Sequence, residues 1–237
     1  MNKTLVKFEA SKLGKSTRIV FFLSFLTQIV FLIFFALVGQ FDVSSSDEVL
    51  KNLVGIGSIS STITLSVLSI YGAVLMNHSI VKNYIGEARI RLYSLPNGRS
   101  VLFKAKIYAF VNRVLYSQFA GLLLANFLFW IGVSLGLFKG IDSNGLNSTL
   151  LLLLLTAVTT LVALSIVLIS VVVGIHFSST QITLISVLLM IVCLGNVVAQ
   201  LLSSALILTS SMVVFLAFVS LAVINIWAAK IEKEEVL

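Results

Sequence analysis

The chain has 237 residues, of which 59% are hydrophobic and only 11% are charged, and it carries a net charge of +7. Because roughly a quarter of the residues in a soluble domain are charged, this composition excludes a soluble globular protein and indicates an integral membrane protein. The apolar runs are continuous and do not alternate with polar residues, which favours spanning helices over an outer-membrane barrel. We therefore interpret residues 1–237 as one all-α transmembrane domain.

The N-terminal segment, 1–18, is predicted to form an amphipathic helix that lies in the membrane interface. Leu5, Phe8 and Leu13 can share one helical face while the lysines point elsewhere. A plain positively charged flank of the first span is the alternative. The sequence GKST at 14–17 resembles the end of a phosphate-binding loop, but Glu9 stands where that loop needs a glycine, so we do not expect this chain to bind a nucleotide.

Six apolar runs approach the length of about 20 residues that a helix needs to cross the hydrocarbon core of a bilayer. They cover residues 19–38, 54–76, 105–138, 149–175, 182–198 and 205–229. The first run is longer than the core of a signal peptide and no cleavage-site pattern follows it, so an uncleaved helix is expected.

The distribution of basic residues predicts the orientation of these spans. Fourteen of the sixteen Lys and Arg residues lie before the first span, between spans two and three, at the beginning of span three (Lys106 and Arg113) or in the tail; Lys51 and Lys139 are the exceptions. The positive-inside rule then places both termini in the cytoplasm of a multi-pass plasma-membrane protein. The basic charge is expected to face anionic membrane lipid, and no nucleic-acid partner is predicted.

The second predicted span is rich in hydroxyl side chains. Ser58, Thr62, Ser66 and Ser69 fall on one face at helical spacing. Small residues on one face favour close helix packing, but the same face could form the wall of a cavity for an amphipathic substrate or a seam between two protomers. Asn126 in the third span could likewise lie in that cavity or seam. Alternatively it makes a hydrogen bond between helices, as uncharged amides in spans commonly do.

The loop between spans two and three, 77–104, contains an amphipathic stretch. Its apolar positions recur at helical spacing, which predicts a short helix with one apolar stripe. The stripe is made of Val81, Tyr84, Ile85, Ala88, Leu92 and Leu95. Glu87 precedes Arg91 by four residues, a favourable ion-pair spacing, and Pro96 is expected to end the helix before Arg99 begins the next one. Such a helix can rest on lipid or insert its stripe into a groove of a partner protein.

The stretch EARIRLYSLPNGRSVLFKAK resembles the cytoplasmic loop of type-2 permeases of ATP-binding-cassette exporters. In that family an acidic residue starts a coupling helix, and a small or helix-breaking residue, an arginine and a lysine at the next span follow. Those places are held here by Glu87, Leu92, Leu95, Pro96, Arg99 and Lys106. The sequence resemblance covers about twenty residues, and the order of segments matches along the whole chain. The larger relatives have re-entrant helices between spans five and six, for which this chain has little room.

The resemblance implies a permease subunit that works with a separate cytoplasmic ATPase. The residues that would contact the ATPase are Tyr84, Glu87, Ala88, Arg91, Leu92, Leu95, Pro96 and Arg99. Two ATPase copies would bind ATP and Mg²⁺, and a second permease chain, identical or homologous, would complete the transporter. The small size and uncharged spans resemble bacterial permeases that export amphipathic peptide toxins or confer immunity to them.

Two further functions stay open for this sequence. The chain could be a membrane anchor or immunity protein that binds its target without turnover. An intramembrane enzyme is the third possibility and ranks last, because every acidic residue lies outside the predicted spans and no catalytic set can be assembled within them. His78 and His176 lack acidic or thiol companions, so no metal site and no cofactor bound by this chain are predicted.

Overall fold

A computed structural model describes residues 3–41, 48–93, 98–138, 140–141, 145–204 and 206–233. Within these ranges the chain forms nine α-helices and one 3-10 turn. They are α1 (Lys3–Lys12), α2 (Gly14–Phe41), α3 (Glu48–Lys51), α4 (Leu53–Ser79), the 3-10 turn (Val81–Tyr84), α5 (Gly86–Tyr93), α6 (Arg99–Ser134), α7 (Gly145–His176), α8 (Thr180–Ser204) and α9 (Leu206–Lys233). The predicted all-α class is confirmed for the described part of the chain.

Five helices in the described ranges are long and apolar enough to cross a membrane, which indicates a membrane-embedded protein. Their apolar segments are Gly14–Gln40, Leu53–Tyr84, Arg99–Ser134, Ser148–His176 and Leu208–Glu232. The helices run without interruption because the only proline, Pro96, lies between α5 and α6 and removes no hydrogen bond inside a span. α8 occupies the place of the fifth predicted span, and its apolar stretch, Thr180–Gly195, is shorter than the other five.

α4 and α7 form the centre of the bundle. The most apolar stretch of α7 is 72% buried and that of α4 is 61% buried, against 28% for α2 and 22% for the last helix. α4 packs against α7, α8 and α2, while α2 packs most extensively against α6. The hydroxyl-rich second span is therefore an inner helix, and α2 and α9 present much of their surface outward.

Two apolar clusters stabilise the two ends of the bundle. The basic end, as we call it, holds α1, the 3-10 turn, the start of α6 and the end of α9. Its cluster includes Tyr84, Phe103, Ile175 and Ile231. The cluster at the opposite end includes Leu32, Leu53, Phe129, Leu152 and Val213. Between the clusters α2 carries buried Ser24 and Gln28, and α6 carries buried Gln118 and Asn126.

The predicted interfacial segment contains α1, which ends before Leu13. Leu13 packs against the basic-end cluster, whereas Phe8 is 61% exposed. Lys12 Nζ lies 3.1 Å from Glu9 Oε1 and 4.3 Å from the centre of the Phe8 ring. α1 packs against the start of α6, so it contributes to the basic end as a packed helix.

Candidate functional sites

The 3-10 turn anchors the predicted coupling segment in the protein interior. Val81 is fully buried and Tyr84 is 2% exposed, and the Tyr84 ring contacts the Phe103 ring edge to face at 5.3 Å. The Asn83 side chain donates a hydrogen bond to the Ser79 carbonyl at 2.7 Å, which ties the turn to the end of α4. The beginning of the predicted stripe is therefore a buried contact between α4 and α6.

The chain breaks its helical path directly after this turn. Ile85 is extended, with φ −123° and ψ 143°, and Gly86 has φ +59°. Glycine adopts this left-handed conformation at little cost because it has no Cβ. The stripe that the sequence predicts as one helix is thus divided between the 3-10 turn and α5, and the prediction of a single helix is wrong at this point.

α5 is a short helix with exposed side chains. Glu87 and Ala88 are exposed, and Ile90 is 56% exposed. Its principal contact with another element is the 3-10 turn. Ile90 lies off the predicted stripe, so the sequence pattern did not identify it, yet it is an apolar side chain that α5 presents outward.

The remaining coupling residues are only partly described. Arg91 and Leu92 belong to α5, but their side chains lie outside the described part, as do Leu95 and Pro96 altogether. Arg99 is half-buried and begins α6, with Gly98 at the N-cap position.

A contact that the sequence did not predict joins the start of α6 to the end of α9. The Ser100 hydroxyl donates a hydrogen bond to Glu232 Oε2 at 2.9 Å. The residues that enter α6 after the predicted coupling helix are therefore connected directly to the last helix of the chain.

The predicted hydroxyl face of span two faces the interior at both ends. Ser58 and Ser69 are buried, while Thr62 and Ser66 are half-buried. The Ser58, Thr62 and Ser66 hydroxyls donate to the carbonyls four residues earlier at 2.8–3.1 Å, so their hydrogen bonds are satisfied within α4. The three grooves described below are lined by other residues, and whether this face forms a cavity wall or a seam stays a prediction.

Gln28 is a central polar residue that sequence reasoning missed. It is fully buried on α2, and its Nε2 donates to Ser61 Oγ on α4 at 3.1 Å and to Asn126 Oδ1 on α6 at 3.0 Å. This arrangement supports the expectation that Asn126 makes a hydrogen bond between helices. The sequence feature that could have identified this residue is that Gln28 is the only amide within the apolar run 19–38.

A groove of about 490 Å³ lies between α6 and α7. Its walls are mainly apolar, and they include Phe127, Trp130 and Leu153. Asn126 and Thr156 add polar groups, and the Asn126 amide nitrogen is buried without a hydrogen-bond partner among the described residues. An apolar groove with a few convergent polar groups is the usual composition of a site for an amphipathic molecule.

A second cavity, of about 540 Å³, lies at the basic end between α1, the end of α4 and the start of α6. Lys12, Lys106 and His78 line it together with Glu9. It opens beside Asn83 of the 3-10 turn, so it adjoins the anchored part of the coupling segment.

The ionisable and aromatic side chains of these sites make few contacts with one another. In the described ranges no group of three or more His, Cys, Asp or Glu side chains comes together in a way that could hold a metal ion. His176 contacts the Trp227 ring at 5.3 Å, an aromatic packing contact. The described part of the chain therefore offers three grooves and several hydrogen bonds between helices.

Comparisons with protein-family models, with curated proteins and with solved structures found no match. The resemblance to exporter permeases consequently depends on the residues of the loop between α4 and α6 and on the order of segments along the chain.

Proposed function

We propose that this chain is the permease subunit of an ATP-driven exporter that moves an amphipathic or hydrophobic substrate, such as a membrane-active peptide, out of the cell or out of the inner leaflet. The observation that supports this proposal most directly is the pairing of exposed α5 with the buried 3-10 turn. Two copies of a separate ATPase subunit would bind ATP and Mg²⁺, and a second permease chain would complete the assembly.

The geometry of the coupling segment fits the transmission of movement. Ile90 and Glu87 on α5 offer an apolar and an acidic side chain to a partner surface, which suits a helix-in-groove contact. One extended residue separates the buried turn from α5, and α5 begins at Gly86, which has a positive φ. Because Tyr84 packs against Phe103, a displacement of α5 would act on α4 and α6 together.

The groove between α6 and α7 is our candidate for the substrate path. Its apolar walls would hold the hydrophobic part of a substrate, and Asn126 and Thr156 would receive its polar part. Asn126 also accepts a hydrogen bond from Gln28 on α2. A substrate in the groove would therefore affect the position of α2 as well as those of α6 and α7.

We further propose six membrane crossings with the basic end in the cytoplasm. The Ser100–Glu232 hydrogen bond and the packing of α1 on α6 put both ends of the described chain at one end of the bundle. A chain that begins and ends on the same side crosses an even number of times, which supports counting α8 as a span. The excess of Lys and Arg at this end favours the cytoplasmic side.

The coupling assignment is tested by the double substitution Glu87→Lys with Ile90→Asp. Both side chains are exposed, so the variant should insert and fold normally while losing its contact with the ATPase. The tagged chain is purified from its native membrane in mild detergent, and Mg²⁺-dependent ATP hydrolysis and subunit stoichiometry are measured in the eluate. Leu137→Asp is the matched control, because Leu137 is 69% exposed beyond the end of α6 at the opposite end.

We expect an ATPase at one copy per permease chain in wild type and in the control, and its loss from the double variant. An anchor or immunity protein would instead purify without any ATPase. A double variant that retains wild-type amounts of ATPase and wild-type hydrolysis would show that α5 is not the coupling helix.

A further inference from the structure

A third groove, of about 360 Å³, lies at the basic end where α2 and α6 run side by side. Its base is held by two close contacts between these helices. The Ser117 hydroxyl donates a hydrogen bond to the Thr17 carbonyl. A Cβ on Gly121 would lie only 2.7 Å from the Phe21 carbonyl oxygen, so the two backbones approach each other as closely as glycine allows. The groove is therefore formed by a closely packed helix pair.

Two arginines from different helices line this groove. Arg18 comes from α2 and Arg113 from α6, and both side chains are exposed. Within the described ranges, neither guanidinium has an ion pair or a hydrogen bond to another residue. Two like charges that share one groove repel each other, and an anion between them removes that repulsion.

The groove faces outward at the border of the apolar part of α2. The apolar run begins at Ile19, directly after Arg18. Phe22 and Tyr116 flank the arginines and are 64% and 71% exposed. Exposed aromatic rings at the end of a span are typical of the headgroup level of a bilayer, where the phosphates of lipid headgroups are the anions at hand.

We infer that this groove binds the headgroup of an anionic phospholipid in the leaflet at the basic end. The forked guanidinium groups of Arg18 and Arg113 bind the phosphate oxygens, and the Asn112 amide supplies a further donor. The Phe22 and Tyr116 rings lie against the lipid next to its headgroup. Basic pockets between transmembrane helices are an established way of binding anionic headgroups. The inference does not depend on the export proposal.

The experiment measures lipid binding to the purified full-length chain by native mass spectrometry in detergent. Phosphatidylglycerol, phosphatidylcholine and inorganic phosphate serve as probes. We expect a one-to-one complex with phosphatidylglycerol that is favoured over phosphatidylcholine and is not displaced by inorganic phosphate. Arg18→Gln with Arg113→Gln should weaken it by at least about tenfold, since it removes the charged hydrogen bonds to the phosphate.

Two further variants separate the groove from general effects. Lys82→Gln with Lys230→Gln removes two exposed positive charges at the same end outside the groove and should leave binding unchanged. Arg18→Lys with Arg113→Lys keeps both positive charges but removes the planar guanidinium groups, which can donate two parallel hydrogen bonds to a phosphate. Its affinity for phosphatidylglycerol should therefore lie between those of wild type and the glutamine variant. Circular dichroism verifies that each variant is folded.

Three results would overturn the inference. The first is equal binding of phosphatidylglycerol and phosphatidylcholine. The second is undiminished phosphatidylglycerol binding by the folded arginine-to-glutamine variant. The third is displacement of the lipid by inorganic phosphate, which would identify a site for a soluble anion.

Discussion

At the scale of single residues, the membrane interior of this protein depends on a few uncharged polar side chains. Gln28 joins α2, α4 and α6 through two hydrogen bonds at about 3 Å. Its own Oε1 and the Asn126 amide nitrogen have no hydrogen-bond partner among the described residues. A buried polar group that loses its hydrogen-bond partner costs about 1–3 kcal/mol. Replacing Gln28 by an apolar residue would also take one hydrogen bond from Ser61 and one from Asn126.

We predict that Gln28→Leu destabilises the folded protein by about 1 kcal/mol although it makes the span more apolar. Gln28→Leu combined with Asn126→Leu should cost less than the sum of the single changes, with a coupling energy of about 0.6 kcal/mol and at most about 1.7 kcal/mol. Unfolding in SDS titrations measures all three variants. Thr27→Val is the control, since the Thr27 hydroxyl is bonded to the Leu23 carbonyl of its own helix. Strict additivity would contradict the bond between Gln28 and Asn126.

At the scale of elements, the sequence predicted long helices well and local breaks poorly. Uninterrupted apolar runs without proline predict helices because nothing within them competes with the backbone hydrogen bonds. The break at Ile85 could not be predicted in this way. The apolar spacing of Val81 and Tyr84 continues through it, whereas in the structure Tyr84 packs against Phe103 directly before the break.

In the candidate sites, too, the features set by local sequence spacing could be predicted, and those set by contacts between distant residues could not. The hydroxyl face of α4 could be read from spacing alone. The pairing of Gln28 with Asn126 joins residues 98 positions apart, and the Ser100–Glu232 bond joins residues 132 positions apart. Only the packing of the helices brings such residues together, and a single sequence carries no direct signal for it.

We predict that Gly86→Ala destabilises α5 without affecting the rest of the bundle. Gly86 has φ +59° and open space around its Cα, so the cost is backbone strain of about 1–2 kcal/mol and not a clash. Amide hydrogen exchange should become about 5- to 30-fold faster in α5 and stay unchanged in α4 and α6. Gly14→Ala is the matched control, because Gly14 also has open space but no positive φ. Equal exchange in both variants would contradict the left-handed conformation of Gly86.

At the scale of the whole molecule, the buried interior has an apolar cluster towards each end and polar side chains between the two clusters. The two apolar clusters contain residues from α4, α6, α7 and α9, so the same helices stabilise both ends. Buried Ser24, Gln28, Gln118 and Asn126 lie between the clusters, where leucines would give better apolar packing. Apolar packing therefore holds the helices together towards both ends, and hydrogen bonds between helices link α2, α4 and α6 at the centre.

The proposed crossings predict which side of the membrane each exposed residue faces. Single cysteines are introduced in a Cys193→Ala background, because Cys193 is the only native cysteine and is exposed. A maleimide that cannot cross the membrane should label Leu137→Cys in intact cells, and Lys82→Cys only after lysis, which identifies the two sides. Lys230→Cys, near the end of α9, then decides the number of crossings. Six crossings put it on the side of Lys82, as the Ser100–Glu232 bond requires, whereas labelling of Lys230→Cys in intact cells would mean that α8 does not cross and that the six-span proposal is wrong.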